Sequence, residues 1–212
     1  MKKRNIQFLL LWLIVITGCQ LQQGENQKKD KTTESSDNVV LSPGASLLFK
    51  DVTSLLTARQ KNEIFNQTTF LLTKQGDGFY FEGGEDFPFL ASVFPVDLNK
   101  DGVEEIFILW GNMFTSGNAG NNVSLYIQNN KGKYTDQLGV QGQMPLLVED
   151  PSKSYPDLII PEPGSSFPLW GWRNDEYVNV AQIAENILAN YKTINSVDLS
   201  EQYVKSLKGN QK

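Results

Sequence analysis

Short apolar runs separated by polar turns dominate the chain between residues 70 and 180. The runs are rich in aromatic and β-branched residues and have the length of strands. The turns QGDG, NNKG and RND are typical of hairpins. The strand-like runs are TTFLLTK, FYFEGG, FLASVFPV, EIFILWGN, VSLYIQ, PDLIIPEP, FPLWGW and EYVNV. This pattern predicts a mainly β domain made of antiparallel hairpins.

Helical periodicity flanks these strands on both sides. An N-terminal helix is predicted at residues 48–67, capped by Asp51 or Thr53, with an apolar face made of Leu55, Leu56, Ala58, Ile64 and Phe65. Residues 180–192 place apolar side chains at steps of three and four, which predicts a further helix. A short amphipathic segment at residues 197–208 ends the chain. The predicted fold class is mainly β (α+β), an antiparallel β-meander with an N-terminal helix and C-terminal helices.

The hairpins have similar sequences, with an apolar strand, a polar turn and then a tyrosine. YIQNNKGKY and LWGWRNDEY both follow this order. Two explanations stay open. Unrelated antiparallel hairpins share these features, or a meander is repeated two or three times and neighbouring units complete one another's core.

The N-terminus has the features of an export signal. Lys2, Lys3 and Arg4 precede an apolar run from Phe8 to Ile16, and a run of that length is too short to cross a bilayer, which needs about twenty residues. Ile16-Thr17-Gly18-Cys19 resembles the bacterial lipobox. That resemblance implies that Cys19 is lipidated and becomes the first mature residue. The alternative is an ordinary signal peptide with a chance cysteine.

The domain organisation follows from this signal and from the polar segment after it. Residues 1–18 are predicted to be the signal peptide, and residues 19–38 the lipidated cysteine and a flexible tether. The tether has too few large apolar residues to offset its ordering entropy. Residues 39–212 are predicted to form a single globular domain.

Composition removes several classes of function. The chain has no histidine, and Cys19 is its one cysteine, which excludes Ser-His and Cys-His catalysis, His-ligated zinc sites and a disulfide within the chain. Removal of residues 1–18 removes three cations and no acid. The mature chain then has 16 Lys plus Arg against 24 Asp plus Glu, a net charge of −8. This charge disfavours nucleic acid as a partner, and we expect no enzymatic activity.

The stretch DLNKDGVEE at residues 97–105 carries the chemistry of a calcium loop. Calcium takes six to eight oxygen ligands, which acids at alternate positions supply. The predicted ligands are the side chains of Asp97, Asn99, Asp101 and Glu105 and the backbone carbonyl of Val103. Gly102 permits the sharp turn that brings this carbonyl to the ion. The alternative is a polar turn that binds no metal.

This loop is not an EF-hand, because strands flank it and the closing acid is its ninth residue. It resembles the shorter calcium loop of FG-GAP or integrin-propeller-like repeats, in which a strand, an Asp-x-Asn-x-Asp-Gly-x-x-acid loop and a second strand form one unit. The resemblance implies a partial FG-GAP-like meander that holds one structural calcium ion. It is limited to the local unit, since a propeller carries several such loops and needs a longer chain.

The wider chain is similar to a class of bacterial envelope lipoproteins that carry one such loop. The motifs that carry this similarity are Gly111-Asn112, Ser116-Gly117-Asn118-Ala119-Gly120, Lys133-Tyr134, Pro156-Asp157-Leu158 and Trp170-Gly171-Trp172. The similarity implies a fold and an envelope location more than an activity.

Two features are candidate binding surfaces. Ser116, Gly117 and Asn118 belong to a small-residue loop that can form part of a contact surface. Trp170 and Trp172, with Trp110, Phe87 and Phe89, are predicted either to form a platform for sugar or protein or to belong to the core. The nearby acids Glu149, Asp157 and Glu162 raise the alternative of a glycan hydrolase, although no spacing selects a catalytic pair.

Together these features predict a lipid-anchored protein of the bacterial cell envelope. Its membrane contact is the N-terminal lipid, and in a diderm cell Gln20 after the cysteine indicates the outer membrane. The β domain is expected to act as a binding module for an envelope protein, in one form as an inhibitor or immunity-type protein. The alternatives are a carboxylate-based hydrolase of envelope glycans and a purely structural lipoprotein.

Overall fold

The computed structural model describes residues 39–209. The predicted signal peptide, Cys19 and the tether up to residue 38 lie outside these residues. Within residues 39–209, no helix is both long and apolar enough to cross a membrane.

A four-stranded antiparallel sheet forms the first half of the domain. A short hairpin of β1 (Leu71–Leu72) and β2 (Phe79–Tyr80) precedes it. The sheet is a meander in chain order, with β3 (Leu90–Val96), β4 (Glu105–Gly111), β5 (Asn122–Gln128) and β6 (Tyr134–Gln141). The loop at residues 97–105 connects β3 to β4, so the two strands that flank it are neighbours in this sheet.

A second antiparallel sheet follows. Its meander is β7 (Leu146–Val148), β8 (Asp157–Ile159), β9 (Ser166–Arg173) and β10 (Glu176–Ala184), and β11 (Thr193–Asn195) pairs with β7 at the other edge. Two successive antiparallel meanders confirm the mainly β fold predicted from the hairpin pattern.

The N-terminal helical segment differs from the prediction, because it consists of two helices. These are α1 (Pro43–Leu48) and α2 (Ala58–Thr68). Asp51 does not cap a helix; its φ of 61° takes the chain out of the helical conformation after α1. Thr53 does not cap α2 either, because Thr57 does so in a capping box with Gln60.

The helix predicted at residues 180–192 is wrong. The strand β10 continues to Ala184, and a 3-10 helix covers Glu185–Asn190. Ile183 lies opposite Phe167 of β9, and this long-range pairing overrides a local periodicity that also suits a helix. The last segment does form a helix, α4 (Ser196–Gly209), and a short helix α3 (Met113–Ser116) follows β4.

Three apolar clusters form the core because alternate strand residues point to opposite faces. In β4, Phe107 belongs to the cluster between the two sheets, whereas Ile106 and Ile108 pack with the N-terminal helices and the β1–β2 hairpin. In β8, Leu158 faces the first sheet and Ile159 the third cluster. The described residues of all three clusters belong to one compact unit of the chain, Asn38–Lys212.

We predict that Phe107→Ala destabilises the domain strongly. Its side chain is fully buried between the sheets, and such a truncation costs about 3–5 kcal/mol because it leaves a cavity. Leu90→Ala on neighbouring β3 is the control. Leu90 is 72% exposed, and its removal is expected to change the free energy of unfolding by less than about 0.5 kcal/mol. Urea denaturation measures both values. Equal effects would contradict the packing of the two sheets described above.

Candidate functional site

The β3–β4 loop is closed by the side chain of Asp97. Its Oδ1 accepts a hydrogen bond from the backbone N–H of Asp101 at 3.1 Å, and its Oδ2 accepts one from Gly102 at 3.1 Å. Gly102 has a φ of +85°, a conformation that favours glycine. The first acid of the motif therefore shapes the turn that brings the later residues back toward it.

Asn99 and Asp101 complete the inner side of this loop. The Oδ1 of Asn99 accepts from the Asp101 N–H at 3.1 Å, and its Nδ2 donates to Asp101 Oδ2 at 2.8 Å. The Oδ1 of Asp101 accepts from the Val103 N–H at 2.8 Å. The structure thus brings the alternate polar side chains of the motif together within one turn.

Glu105 is the most buried acid of the loop, with 1% of its surface exposed. Its Oε2 accepts from the Leu98 N–H at 2.6 Å, and its Oε1 accepts from the Tyr155 hydroxyl at 3.0 Å. Burial, together with the nearby charges of Asp101 and Asp97, raises the pKa of Glu105 to about 7. The loop therefore contains negative charge that the described residues only partly compensate.

Tyr155 reaches the loop from the segment before β8. Its hydroxyl accepts a hydrogen bond from Asn99 Nδ2 at 2.9 Å and donates one to Glu105. Burial and the nearby Glu105 charge raise the pKa of Tyr155 above its usual value, so its hydroxyl keeps its proton. Sequence reasoning missed this contact, because 50 residues separate Tyr155 from Glu105 and no local pattern relates them.

Glu104 is a second buried acid, 2% exposed, that the sequence interpretation did not assign. Its carboxylate accepts from the Ser54 hydroxyl at 2.5 Å and from the Leu55 N–H at 2.8 Å. The hydroxyl of Tyr134 donates to its backbone carbonyl at 2.8 Å. Adjacent glutamates thus point in opposite directions, Glu104 to the segment between α1 and α2 and Glu105 to the second sheet. The sequence feature that could have identified Glu104 is its position in a pair of acids, Glu104 and Glu105, at the start of a buried strand.

The donor set of the loop fits calcium in its chemistry, because the predicted ligands are all oxygen atoms. A carboxylate oxygen that accepts one N–H hydrogen bond keeps lone-pair capacity for a cation. Among residues 39–209, however, no three His, Cys, Asp or Glu side chains are grouped closely enough to hold a metal ion. A calcium ion here would therefore need Asn99 and the Val103 carbonyl in addition to the acids.

The predicted small-residue surface lies at α3 and the 3-10 helix of Gly117–Ala119. Gly117 and Asn118 are exposed, whereas Ser116 is fully buried and accepts from Asn122 Nδ2 at 2.6 Å. Ser116 therefore supports the loop from beneath and does not offer a contact. Beside it, the rings of Phe87 and Phe114 stack with centroids 3.7 Å apart. Sequence reasoning did not pair these rings, since one precedes β3 and the other follows β4.

The predicted aromatic platform does not form as one surface. Trp170 and Trp172 pack against the cluster between the sheets, whereas Trp110 packs in the N-terminal cluster with Phe89. The ring of Trp172 lies 4.4 Å from that of Tyr155, measured between centroids. The two faces of the first sheet separate these aromatic residues into different layers.

Two of the three acids considered for hydrolysis form ion pairs, and the third, Glu162, lies in the connection between β8 and β9. Glu149 forms an ion pair with Lys192 at 2.6 Å, and the buried Asp157 pairs with Lys153. Neither contact presents two carboxylates across a cleft, which glycoside hydrolysis requires.

Comparison of the chain with protein-family models, with curated proteins and with solved structures gives no match. The FG-GAP-like resemblance therefore stays a prediction that rests on the loop and its flanking strands.

We predict that Glu105→Gln flattens the pH dependence of stability in the presence of a chelator. The pKa of Glu105 is about 7 in the folded chain and near 4.5 when unfolded, so the folded state binds more protons between these values. The contribution of Glu105 to the free energy of unfolding is then highest below pH 4.5. It falls by about 3 kcal/mol as the pH rises to 7. Urea denaturation at several pH values measures the difference between wild type and variant. Parallel curves would contradict the buried position of this carboxylate.

Proposed function

We propose that this chain is a bacterial envelope lipoprotein, anchored through Cys19, whose domain acts as a calcium-stabilised module for binding another envelope protein. The lipobox-like segment and the polar tether support the anchor. The support for the binding role comes from one surface, the exposed aromatic patch formed by Phe87, Leu90, Met113 and Phe114.

The exposed aromatic patch is the observation that carries the proposal. Phe87 is 46% exposed, Phe114 is 62% exposed and Met113 is 76% exposed, although Phe87 and Phe114 already stack on each other. Exposed apolar side chains that lie against each other, as those of Phe87 and Phe114 do, mark interaction sites in soluble domains. Aromatic residues and methionine are also enriched in the centre of protein interfaces.

The two segments that carry the patch are held together beneath it. The Nδ2 of Asn112 donates to the carbonyls of Phe87 at 3.3 Å and Pro88 at 3.0 Å, and its Oδ1 caps α3. Gly111 has a φ of +110°, and a Cβ atom there would lie 2.6 Å from the Ser116 and Thr115 hydroxyls. Such preorganisation reduces the entropy that binding costs.

Charge favours a basic partner. Glu82, Glu85 and Asp86 stand in the segment before Phe87, and the mature chain has a net charge of −8. A protein with a basic rim around an apolar pocket would complement this surface and be steered toward it. A concrete form is an inhibitor or immunity-type protein that docks on an envelope-directed enzyme.

The calcium ion would have a structural role in this proposal. Asp97, Asn99, Asp101 and Glu105, with the Val103 carbonyl, would hold it and neutralise the crowded carboxylates of the β3–β4 connection. Extracellular calcium modules bind with dissociation constants of about 0.1–1 mM.

We predict that calcium raises the melting temperature of the soluble chain comprising residues 39–212. At ten times the dissociation constant, binding adds about 1.4 kcal/mol, which corresponds to roughly 3–6 °C for a domain of this size. Asp101→Ala is expected to abolish the rise, whereas Glu176→Ala, which removes an exposed acid of β10, is the control and should retain it. If calcium does not change the melting temperature of the wild type, the loop is a polar turn that binds no calcium.

We predict that the exposed aromatic patch contacts the partner directly. A photo-crosslinking phenylalanine analogue at position 114 of the full-length chain is expected to give one discrete adduct in intact cells of the host. The same analogue at Val180, an exposed residue of β10, is the matched control and should give none.

The crosslinking experiment also tests the charge argument. Replacement of Glu82, Glu85 and Asp86 by lysine is expected to remove the adduct at position 114, and Phe87→Ala is expected to weaken it. An identical adduct pattern at positions 114 and 180, or an adduct that survives the charge reversal, would contradict a basic partner at this patch.

A further inference from the structure

A cleft of about 410 Å³ lies between the first and the second sheet, on residues that the exposed aromatic patch does not use. This volume is in the range of about 300–1,000 Å³ of ligand pockets. The cleft is lined by the β5–β6 hairpin on one side and by the segments before β8 and around the β9–β10 turn on the other. Its polar lining consists mainly of Gln128, Asn129, Asn130, Thr135, Gln137 and Ser154.

One wall of the cleft is aromatic and fixed in position. Tyr155 and Trp172 line it, and their ring centroids lie 4.4 Å apart. The hydroxyl of Tyr155 is held by Asn99 and Glu105 of the β3–β4 loop. Trp172 also packs edge-on against Tyr177, at 5.1 Å between centroids. The wall therefore presents aromatic surface without needing to reorganise on binding.

The opposite wall offers side-chain amides. Within the described residues, no hydrogen bond uses the side chains of Gln128 or Asn130, and Gln137 uses its Nε2 on the Thr135 hydroxyl at 3.0 Å. Each amide presents both a donor and an acceptor. Several such groups facing one space suit a ligand that itself carries many donor–acceptor pairs.

The charged side chains of the cleft limit the classes of ligand that it can bind. No lysine or arginine is among the described residues that line it, and Asp175 supplies a carboxylate. Strongly anionic ligands would be repelled by this carboxylate. A sugar has vicinal hydroxyls that pair with amides and a C–H face that packs on an aromatic ring.

We propose that this cleft binds a short neutral saccharide. The inference goes beyond the proposed partner-binding role, because the cleft and the exposed aromatic patch share no residue. Of the described residues that line the cleft, Asp175 is the one carboxylate, so the pair of acids needed for glycoside hydrolysis is missing there. The ligand is therefore bound without cleavage.

The test is calorimetric titration of residues 39–212 with cellobiose, maltose and chitobiose, and with trialanine as a peptide probe. At least one disaccharide is expected to bind, while trialanine is not. Gln137→Ala is expected to weaken that binding about five- to tenfold by removing an amide. Trp172→Phe keeps an aromatic ring in the packing but reduces the aromatic surface of the cleft wall. It should therefore weaken sugar binding as well. Gln141→Ala, on the same strand outside the cleft, is the matched control and should leave affinity unchanged.

Three results would overturn the proposal. The first is that none of the three disaccharides binds to the wild-type chain. The second is that trialanine binds and no sugar does, which would assign the cleft to peptides. The third is that a sugar binds with an affinity that neither Gln137→Ala nor Trp172→Phe changes, in chains whose circular dichroism matches the wild type, which would place the sugar elsewhere.

Discussion

The hydroxyl of Tyr155 links the second half of the domain to the buried carboxylate of Glu105 at the start of β4. It accepts a hydrogen bond from Asn99 and donates one to Glu105, so a residue of the second half of the domain fixes the loop between β3 and β4. Glu105 in turn accepts from Leu98. This small network is buried where it meets Glu105, and polar networks in such places are stable only when each member is satisfied.

The two candidate binding surfaces are connected to this arrangement. The network holds Tyr155, whose ring forms one wall of the cleft together with Trp172. On the other side, Glu104 ties the segment before α2 to the start of β4, and β4 ends at Gly111, where the exposed aromatic patch begins. One strand therefore runs from the candidate ion site to the candidate interface, and the segments at both of its ends are positioned by the sheet, as binding loops on a rigid scaffold commonly are.

Local patterns in the sequence predicted the strands and failed where distant pairing decides the structure. The apolar run in EIFILW and the hairpin turns were sufficient to predict antiparallel meanders. Residues 180–192 also fit a helical period, and pairing of Ile183 with Phe167 decided against it. The loop could be found because its predicted ligands lie within one short stretch of the sequence. Tyr155, the Phe87–Phe114 stack and the separation of Trp110 from Trp172 depend on which faces meet, and a single sequence carries no direct record of that.

We propose that the β3–β4 loop is an ion site that stabilises the domain. Terbium is the direct probe, because it takes calcium ligands and luminesces when an excited tyrosine or tryptophan lies nearby, as Tyr155 does here. We expect titration of residues 39–212 with terbium to give saturable luminescence that calcium displaces and that Tyr155→Phe reduces. Luminescence that does not saturate, or that calcium does not displace, would contradict the claim.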